Sequence, residues 1–262
     1  MAYGTVNADV IGTSVANSNL GAGNATRFKN RLINAGFIIN QRGYTSGTSL
    51  ASGSYGHDRW KGGGSGGTYT FTQGSAGVPI VITITAGSIQ QVIEGCNIPD
   101  GGTFTLSWTG TAQGRIGSGS YSASPLTVTS QTAGANITVE FNTGTVSYPQ
   151  FEVGTSATGF DYRDYGTELI MCQRYFANIP ANYEAIAYYS DRLTNGMMFL
   201  PVVMRTSPTV TGGSWTAHVG SAGTYAVGNI TPNYFRQYNS ANNWTAGAIC
   251  TVVSAVLASA EL

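Results

Sequence analysis

Pro79-Ile80-Val81-Ile82-Thr83-Ile84-Thr85 puts Ile80, Ile82 and Ile84 on one side of an extended chain and Val81, Thr83 and Thr85 on the other. Side chains of a strand point alternately to its two faces, and β-branched residues, stiff at χ1, favour strands over helices. Runs of similar length surround it: Thr68 to Thr72, Ser88 to Glu94, Thr103 to Trp108, Leu126 to Thr129, Ile137 to Phe141 and Tyr148 to Val153. In one of them Phe104, Leu106 and Trp108 share a face. Turn residues separate the runs, as in Pro99-Asp100-Gly101-Gly102 and Thr132-Ala133-Gly134-Ala135. Short strands with no helical period between them predict an all-β, two-sheet antiparallel sandwich over residues 28–164, most simply a jelly roll.

The period changes at Glu168-Leu169-Ile170-Met171-Cys172-Gln173-Arg174-Tyr175-Phe176. Leu169, Cys172, Tyr175 and Phe176 fall on one stripe of a helix, with Glu168 at its positive N-terminal end, which predicts a short helix over 165–176. A second β domain, 177–262, follows. Its expected strands are Tyr183 to Tyr189, Met197 to Met204, Thr209 to Val210, Ser214 to His218, Thr224 to Val227, Asn233 to Tyr238 and Ala246 to Ala258. The alanines of the last run tolerate a helix, but Ile249, Thr251, Val252, Val253 and Val256 favour a strand. The glycine-rich stretch of residues 61–67 reads as a flexible loop within the first domain. Residues 1–27 are small and polar without either period, so they read as an extended arm that orders only on another surface.

Only 9% of the 262 residues are charged and the formal net charge is zero, against about 25% charged residues in an ordinary soluble domain. Lys occurs only at Lys29 and Lys61, so no basic cluster exists to neutralise a run of phosphates, which argues against a nucleic-acid partner. Weak charge also favours building the chain into a larger assembly. Cys96, Cys172 and Cys250 are far apart and odd in number, which signals neither a disulfide framework nor zinc and suits buried thiols. No run of about 18 apolar residues and no signal-peptide pattern is present, so neither a membrane span nor standard secretion is expected.

Three groups of residues carry a resemblance. Phe28-Lys29-Asn30-Arg31-Leu32-Ile33-Asn34-Ala35-Gly36-Phe37 opens the first domain and runs on through Gln41-Arg42 to Asp58-Arg59-Trp60; the junction runs from Phe151-Glu152-Val153-Gly154 through Tyr162-Arg163-Asp164-Tyr165-Gly166 to Phe176; Ser259-Ala260-Glu261-Leu262 closes the chain. Together they resemble phage tail-fibre and related virion proteins, departing at Asn40, where that family often has Asp. The resemblance implies a non-enzymatic structural protein of the virion, made in the host cytoplasm. Residues 1–27 would dock on other virion proteins, and the chain would form a homo-oligomer, a trimer, with Leu169, Cys172, Tyr175 and Phe176 at or near the threefold contact. A head fibre decorating the capsid and a polysaccharide depolymerase are the rival readings.

Catalytic chemistry is sparse. The two histidines, His57 and His218, lie in different domains, and no nucleophile elbow, zincin, Walker or dinucleotide motif occurs. His57-Asp58-Arg59-Trp60 fits a structural Asp-Arg contact with a packed Trp better than a catalytic group. Asp161 and Asp164, near Glu168, are the closest carboxylates to a glycosidase pair, yet beside Arg163 and a helix start they suit capping and ion pairing. The first domain also resembles carbohydrate-binding modules, which implies sugar stacking on exposed aromatics and leaves room for a structural calcium ion without a nameable ligand set. Tyr44, Tyr55, Tyr69 and Tyr121 lie near its loops. Tyr188, Tyr189, Trp215, Tyr234, Tyr238 and Trp244 of the C-terminal domain are the candidates for contact with a host-surface glycan.

Overall fold

The computed structural model describes residues 28–180, 183–189, 192–193, 196–217, 225–239, 245–247, 249–252 and 254–262. The expected arm, 1–27, lies outside them. Among the described residues the chain is all-β with one short α-helix, in keeping with its sequence pattern, and it divides into two compact units. The first comprises residues 28–38 and Tyr44–Tyr165; the second comprises Ile39–Gly43 and Gly166–Leu262. Among the described residues no helix is long and apolar enough to cross a membrane.

The strands of the first unit are β1 (Ser49–Leu50), β2 (Lys61–Phe71), β3 (Ile82–Ile93), β4 (Gly102–Thr109), β5 (Gly114–Ile116), β6 (Leu126–Gln131), β7 (Ile137–Phe141) and β8 (Gly144–Val153). All named pairings are antiparallel. One layer runs β1-β2-β3 and continues through β7 to β5; the other runs β8-β4-β6. β8 serves both, pairing Val146 with Ile82 at its start and Phe151 with Leu106 near its end. Phe37, Trp60, Tyr69, Phe104, Phe141 and Phe151 are fully buried in one core. Phe104 stacks on Phe151 with ring centroids 5.0 Å apart, and Trp108 meets Phe141 edge-on at 5.0 Å, arrangements that add to the burial of apolar area.

The runs at 79–85 and 88–94 join into the single strand β3. Their junction carries Gly87 at φ +63° and a register shift against β2. A one-residue slip exchanges the faces of a strand, and the buried parity changes accordingly, from Ile82 and Ile84 to Ile89, Gln91 and Ile93.

The expected loop at 61–67 is instead the first half of β2. Its glycines answer to close packing. A Cβ on Gly62 would stand 2.6 Å from the carbonyl oxygen of Ala51, one on Gly63 would meet Ser88 and come within 2.6 Å of Glu140 Oε1, and one on Gly67 would overlap the backbone of Ser88. Behind this strand Ser88 Oγ donates to Glu140 Oε1 at 2.5 Å while Arg115 grips Oε2 from Nε and Nη2 at 2.8 and 2.5 Å. Burial alone would raise the Glu140 carboxyl, but hydrogen bonds from Ser88, Arg115 and Tyr121 outweigh it and hold the group below the usual carboxylate range.

His57, Asp58, Arg59 and Trp60 are all buried and structural. Trp60 Nε1 donates to the carbonyl of Asn34 at 2.9 Å, Asn34 Nδ2 donates to that of Asp58 at 3.0 Å, and Arg59 Nη2 reaches that of Val92 at 2.7 Å. His57 lies among the rings of Phe37, Tyr44, Tyr69 and Phe71, with both its backbone N and its Nδ1 2.9 Å from the Tyr69 hydroxyl.

The second unit holds most of α1 (Tyr165–Gln173) and then β9 (Phe176–Ile179), β10 (Tyr183–Tyr189), β11 (Arg192–Leu193), β12 (Met197–Phe199), β13 (Thr209–Gly212), β14 (Trp215–Ala217), β15 (Tyr225–Gly228), β16 (Tyr234–Asn239), β17 (Ile249–Val252) and β18 (Val256–Ser259). Its sheets are β11-β10-β17-β14, β12-β16-β15 and β13-β18-β9. The run at 246–258 therefore divides between two sheets, β17 pairing with β10 and β14, β18 with β13 and β9. The expected strand at 197–204 stops at Phe199.

The helix is shorter than its apolar stripe suggested. It ends at Gln173, Tyr175 lies in a turn, and Phe176 opens β9 opposite Ser259. Cys172, Tyr175 and Phe176 are buried inside the chain and Leu169 is half-buried. Phe176 is covered by the Arg42 guanidinium, 3.7 Å from its ring centroid, and Arg42 pairs with Glu261 at 3.0 Å. The helix surface in solvent is instead represented by Ile170, 55% exposed. Of the thiols, Cys172 is buried as expected while Cys96 is exposed.

Two stability measurements follow from this packing. Gly67→Ala should destabilise the protein by about 1–3 kcal/mol through overpacking, whereas Gly64→Ala, with open space around its Cβ, should be neutral or slightly stabilising in urea unfolding; a flexible loop would treat the two alike. Burial lowers the His57 pKa from 6.5 to about 4, partly offset by a hydrogen bond with Gln73. The folded state thus holds His57 neutral while the unfolded chain protonates below about 6.5, so the stabilisation is complete above that pH and is lost as pH falls towards 4. Between pH 7 and 4.5 the H57Q variant should lose less stability than the parent by about 2–3 kcal/mol.

Candidate functional site

A surface groove of the first unit lies where β8 passes from one layer to the other. Ser147 opposes Thr109, the register between β4 and β8 shifts between Ser107 and Thr109, and Tyr148 takes a left-handed φ of 54° ahead of Pro149. A proline cannot donate to a ladder, and a bulge re-aims the side chains beside it. Tyr148 consequently stands 37% exposed between the buried Ser147 and Gln150. On β4, Trp108 is anchored by its backbone N donating to Ser124 Oγ at 2.9 Å and its Nε1 donating to the Ala112 carbonyl at 3.0 Å.

The opposite wall is the segment after β8. Buried Glu152 receives Thr158 N at 2.8 Å on Oε1 and Thr158 Oγ1 at 2.6 Å on Oε2. Buried Gln150 donates to Glu152 Oε1 at 2.7 Å and to the Gly159 carbonyl at 3.2 Å, and its Oε1 accepts Asp161 N at 2.7 Å. Lys29 Nζ donates to Thr158 Oγ1 at 2.5 Å. These bonds bring Phe160 and Tyr162 up to Tyr148. The three rings meet edge-on, at 5.2 Å between Tyr148 and Phe160, 4.9 Å between Phe160 and Tyr162, and 6.1 Å between Tyr148 and Tyr162. Partial burial, then the charge and hydrogen bond of Tyr148, hold the Tyr162 phenol above its ordinary pKa.

Together Ser107, Trp108, Thr109, Tyr148, Gln150, Ala157, Thr158, Phe160 and Tyr162 line a groove of about 400 Å³, within the size range of small-molecule sites. None of these side chains is acidic, basic or imidazole. The arrangement offers ring faces and hydroxyl groups.

Of the three carboxylates considered for catalysis, Asp164 is exposed and the other two are buried. Asp161 is buried, with Oδ2 accepting Asn30 N at 3.3 Å, and Glu168 is buried in the helix. Among the described residues no group of three or more His, Cys, Asp and Glu could hold a metal ion.

The expected glycan contacts of the C-terminal unit are only partly in view. Tyr234 and Tyr238 lie on one face of β16, both half-buried, with Arg236 between them and its guanidinium 5.3 Å from the Tyr238 ring. Tyr234 neighbours Phe199 at 6.2 Å. Trp244 and the side chains of Tyr188, Tyr189 and Trp215 lie outside the described residues. In the first unit Tyr44 and Tyr69 are core residues, Tyr55 lies beneath Lys61 and Tyr121 beneath Arg115, so none of the four lines the groove. Tyr148, Phe160 and Tyr162 were not singled out by the sequence pattern. Their local signal is a Tyr-Pro step inside a strand run, followed by aromatics alternating through Gly159-Phe160-Asp161-Tyr162.

Glu152 is the fastening on which the second wall depends. Glu152→Ala should cost about 2–4 kcal/mol, because its hydrogen-bond donors are left unmet, and should raise amide hydrogen exchange selectively across residues 154–163. Comparison of the chain with protein-family models, with curated proteins and with solved structures finds no match.

Proposed function

We propose that this chain is a non-enzymatic structural protein of a bacteriophage virion, a tail fibre or adaptor that carries a β domain able to touch host-surface glycan. The observation that supports this reading is spatial. The segments that resemble virion fibre proteins are scattered along the sequence, yet within each unit they interlock. In the first, Asn30 bonds Phe151 and Asp161, Arg163 Nη1 reaches the Leu32 carbonyl at 2.9 Å, and Asn34 joins Asp58 to Trp60. In the second, Gln41 Nε2 donates to the Phe176 carbonyl at 2.8 Å, Arg42 pairs with Glu261, and Ala260 N donates to the Tyr175 carbonyl at 2.7 Å. Motifs that meet in this way act as parts of one scaffold.

A trimer agrees with the low charge and with exposed apolar side chains such as Val81, Val153 and Phe199, since oligomer contacts cover such surface. Residues 1–27 would then bind other virion proteins. The test is to purify phage particles from a host culture that produces this chain, identify their proteins by mass spectrometry and locate the chain by immunogold labelling. The expected outcome is stoichiometric incorporation with label on the tail; absence from purified particles would overturn the reading, and label on the capsid would make it a head fibre.

A further inference from the structure

We infer that the groove between the β4–β8 bulge and residues 157–162 is a saccharide site selective for uncharged pyranose rings. This deepens the glycan-contact part of the function proposed above and rests on it for its biological setting. The binding claim itself rests on the groove alone.

A pyranose carries an apolar C–H face ringed by hydroxyl groups. Its binding requires a partly exposed aromatic plane with hydrogen-bonding groups at the edge and nothing that must first lose a tightly held shell of water. Tyr148 and Tyr162 supply the planes. Tyr162 is 63% exposed although it belongs to a three-ring cluster, so the cluster ends at an open rim rather than in the core. Ser107, Thr109, Tyr148 and Tyr162, all hydroxyl-bearing, are among the residues that line the groove.

The site is also built in advance. Gln150, Glu152 and Thr158 satisfy one another, so the wall carrying Phe160 and Tyr162 is set before a ligand arrives and less ordering entropy is lost on binding. The left-handed Tyr148 and the broken register beside it are local strain of the sort that persists where surrounding structure enforces it.

Charge decides the class of sugar. Two buried carboxylates, Glu152 and Asp161, stand behind the wall. Of the nearby cations, Lys29 is bonded to Thr158 and Arg163 to the carbonyls of Asn30 and Leu32. The lining itself holds no charged side chain, and behind it the two carboxylates are accompanied by the Lys29 and Arg163 cations, so an anionic sugar finds no charged partner in the groove to repay the loss of its tightly held water, whereas an uncharged one needs none.

The experiment uses the purified full chain with maltotetraose, cellotetraose, chitotetraose and tri-galacturonic acid, read by calorimetric titration and saturation-transfer NMR. At least one uncharged tetraose should bind, and the anionic trimer should not. Tyr162→Ala and Tyr148→Ala should each weaken that binding on the order of tenfold. Tyr162, being mostly exposed, can be removed without unfolding, which an unchanged circular-dichroism melt would verify; Ile170→Ala, exposed on the other unit, should leave binding unaltered. Failure of all three uncharged tetraoses to bind, equal binding by Tyr162→Ala, or preference for the anionic trimer would overturn the inference. None of these results bears on whether the chain is found in particles, so the two proposals fail separately.

Discussion

Backbone that is buried outside a sheet ladder must still find hydrogen-bond partners, and the first unit meets this demand with side-chain amides. Asn30 Oδ1 accepts Leu32 N at 3.1 Å and Phe151 N at 3.0 Å, while its Nδ2 donates to the Pro149 carbonyl at 3.0 Å. Gln91 exchanges two bonds of 2.8 Å with the N and O of Ile33. Gln150 does the same for the segment after β8. Each of these side chains takes the place of a missing neighbouring strand. Without them the segments at 28–38 and 155–162 would bury unpaired peptide groups, and both the closed core and the groove wall would be lost.

This explains how far the sequence could be read. Alternation identified the strands at Ile82 and Phe104 because one face of each meets an apolar core, which is a property of the strand itself. The glycine-rich start of β2 was read as a loop because its requirement comes from elsewhere: the Ser88 backbone approaches too closely to admit a Cβ. Phe176 was assigned to the helix by spacing, but pairing with Ser259 draws it into β9. The single run at 246–258 likewise has uniform strand character, and only its partners divide it.

The groove was illegible for a related reason. Tyr148 and Tyr162 are 14 residues apart by their numbering, near enough to be read together, but what joins them is a register shift and a buried carboxylate network that have no periodic signature. Buried polar residues such as Gln91, Gln150 and Glu152 look in sequence like interruptions of an apolar pattern. In the fold they are its fasteners, and their expense when left half-satisfied is why the surrounding geometry is so closely specified.

The pairing of Asn30 with Phe151 also sets an order of events during synthesis. The two residues are 121 positions apart, and a ribosome adding about 5–20 residues per second needs roughly 6–24 s to cover that interval. The segment at 28–38 leaves the ribosome ahead of the rest of its unit and acquires the last of its partners only when residues 151–163 follow. Throughout that interval Leu32 and Phe37, both fully buried in the finished unit, remain without their core, which makes this stretch the natural place for a chaperone to hold the nascent chain.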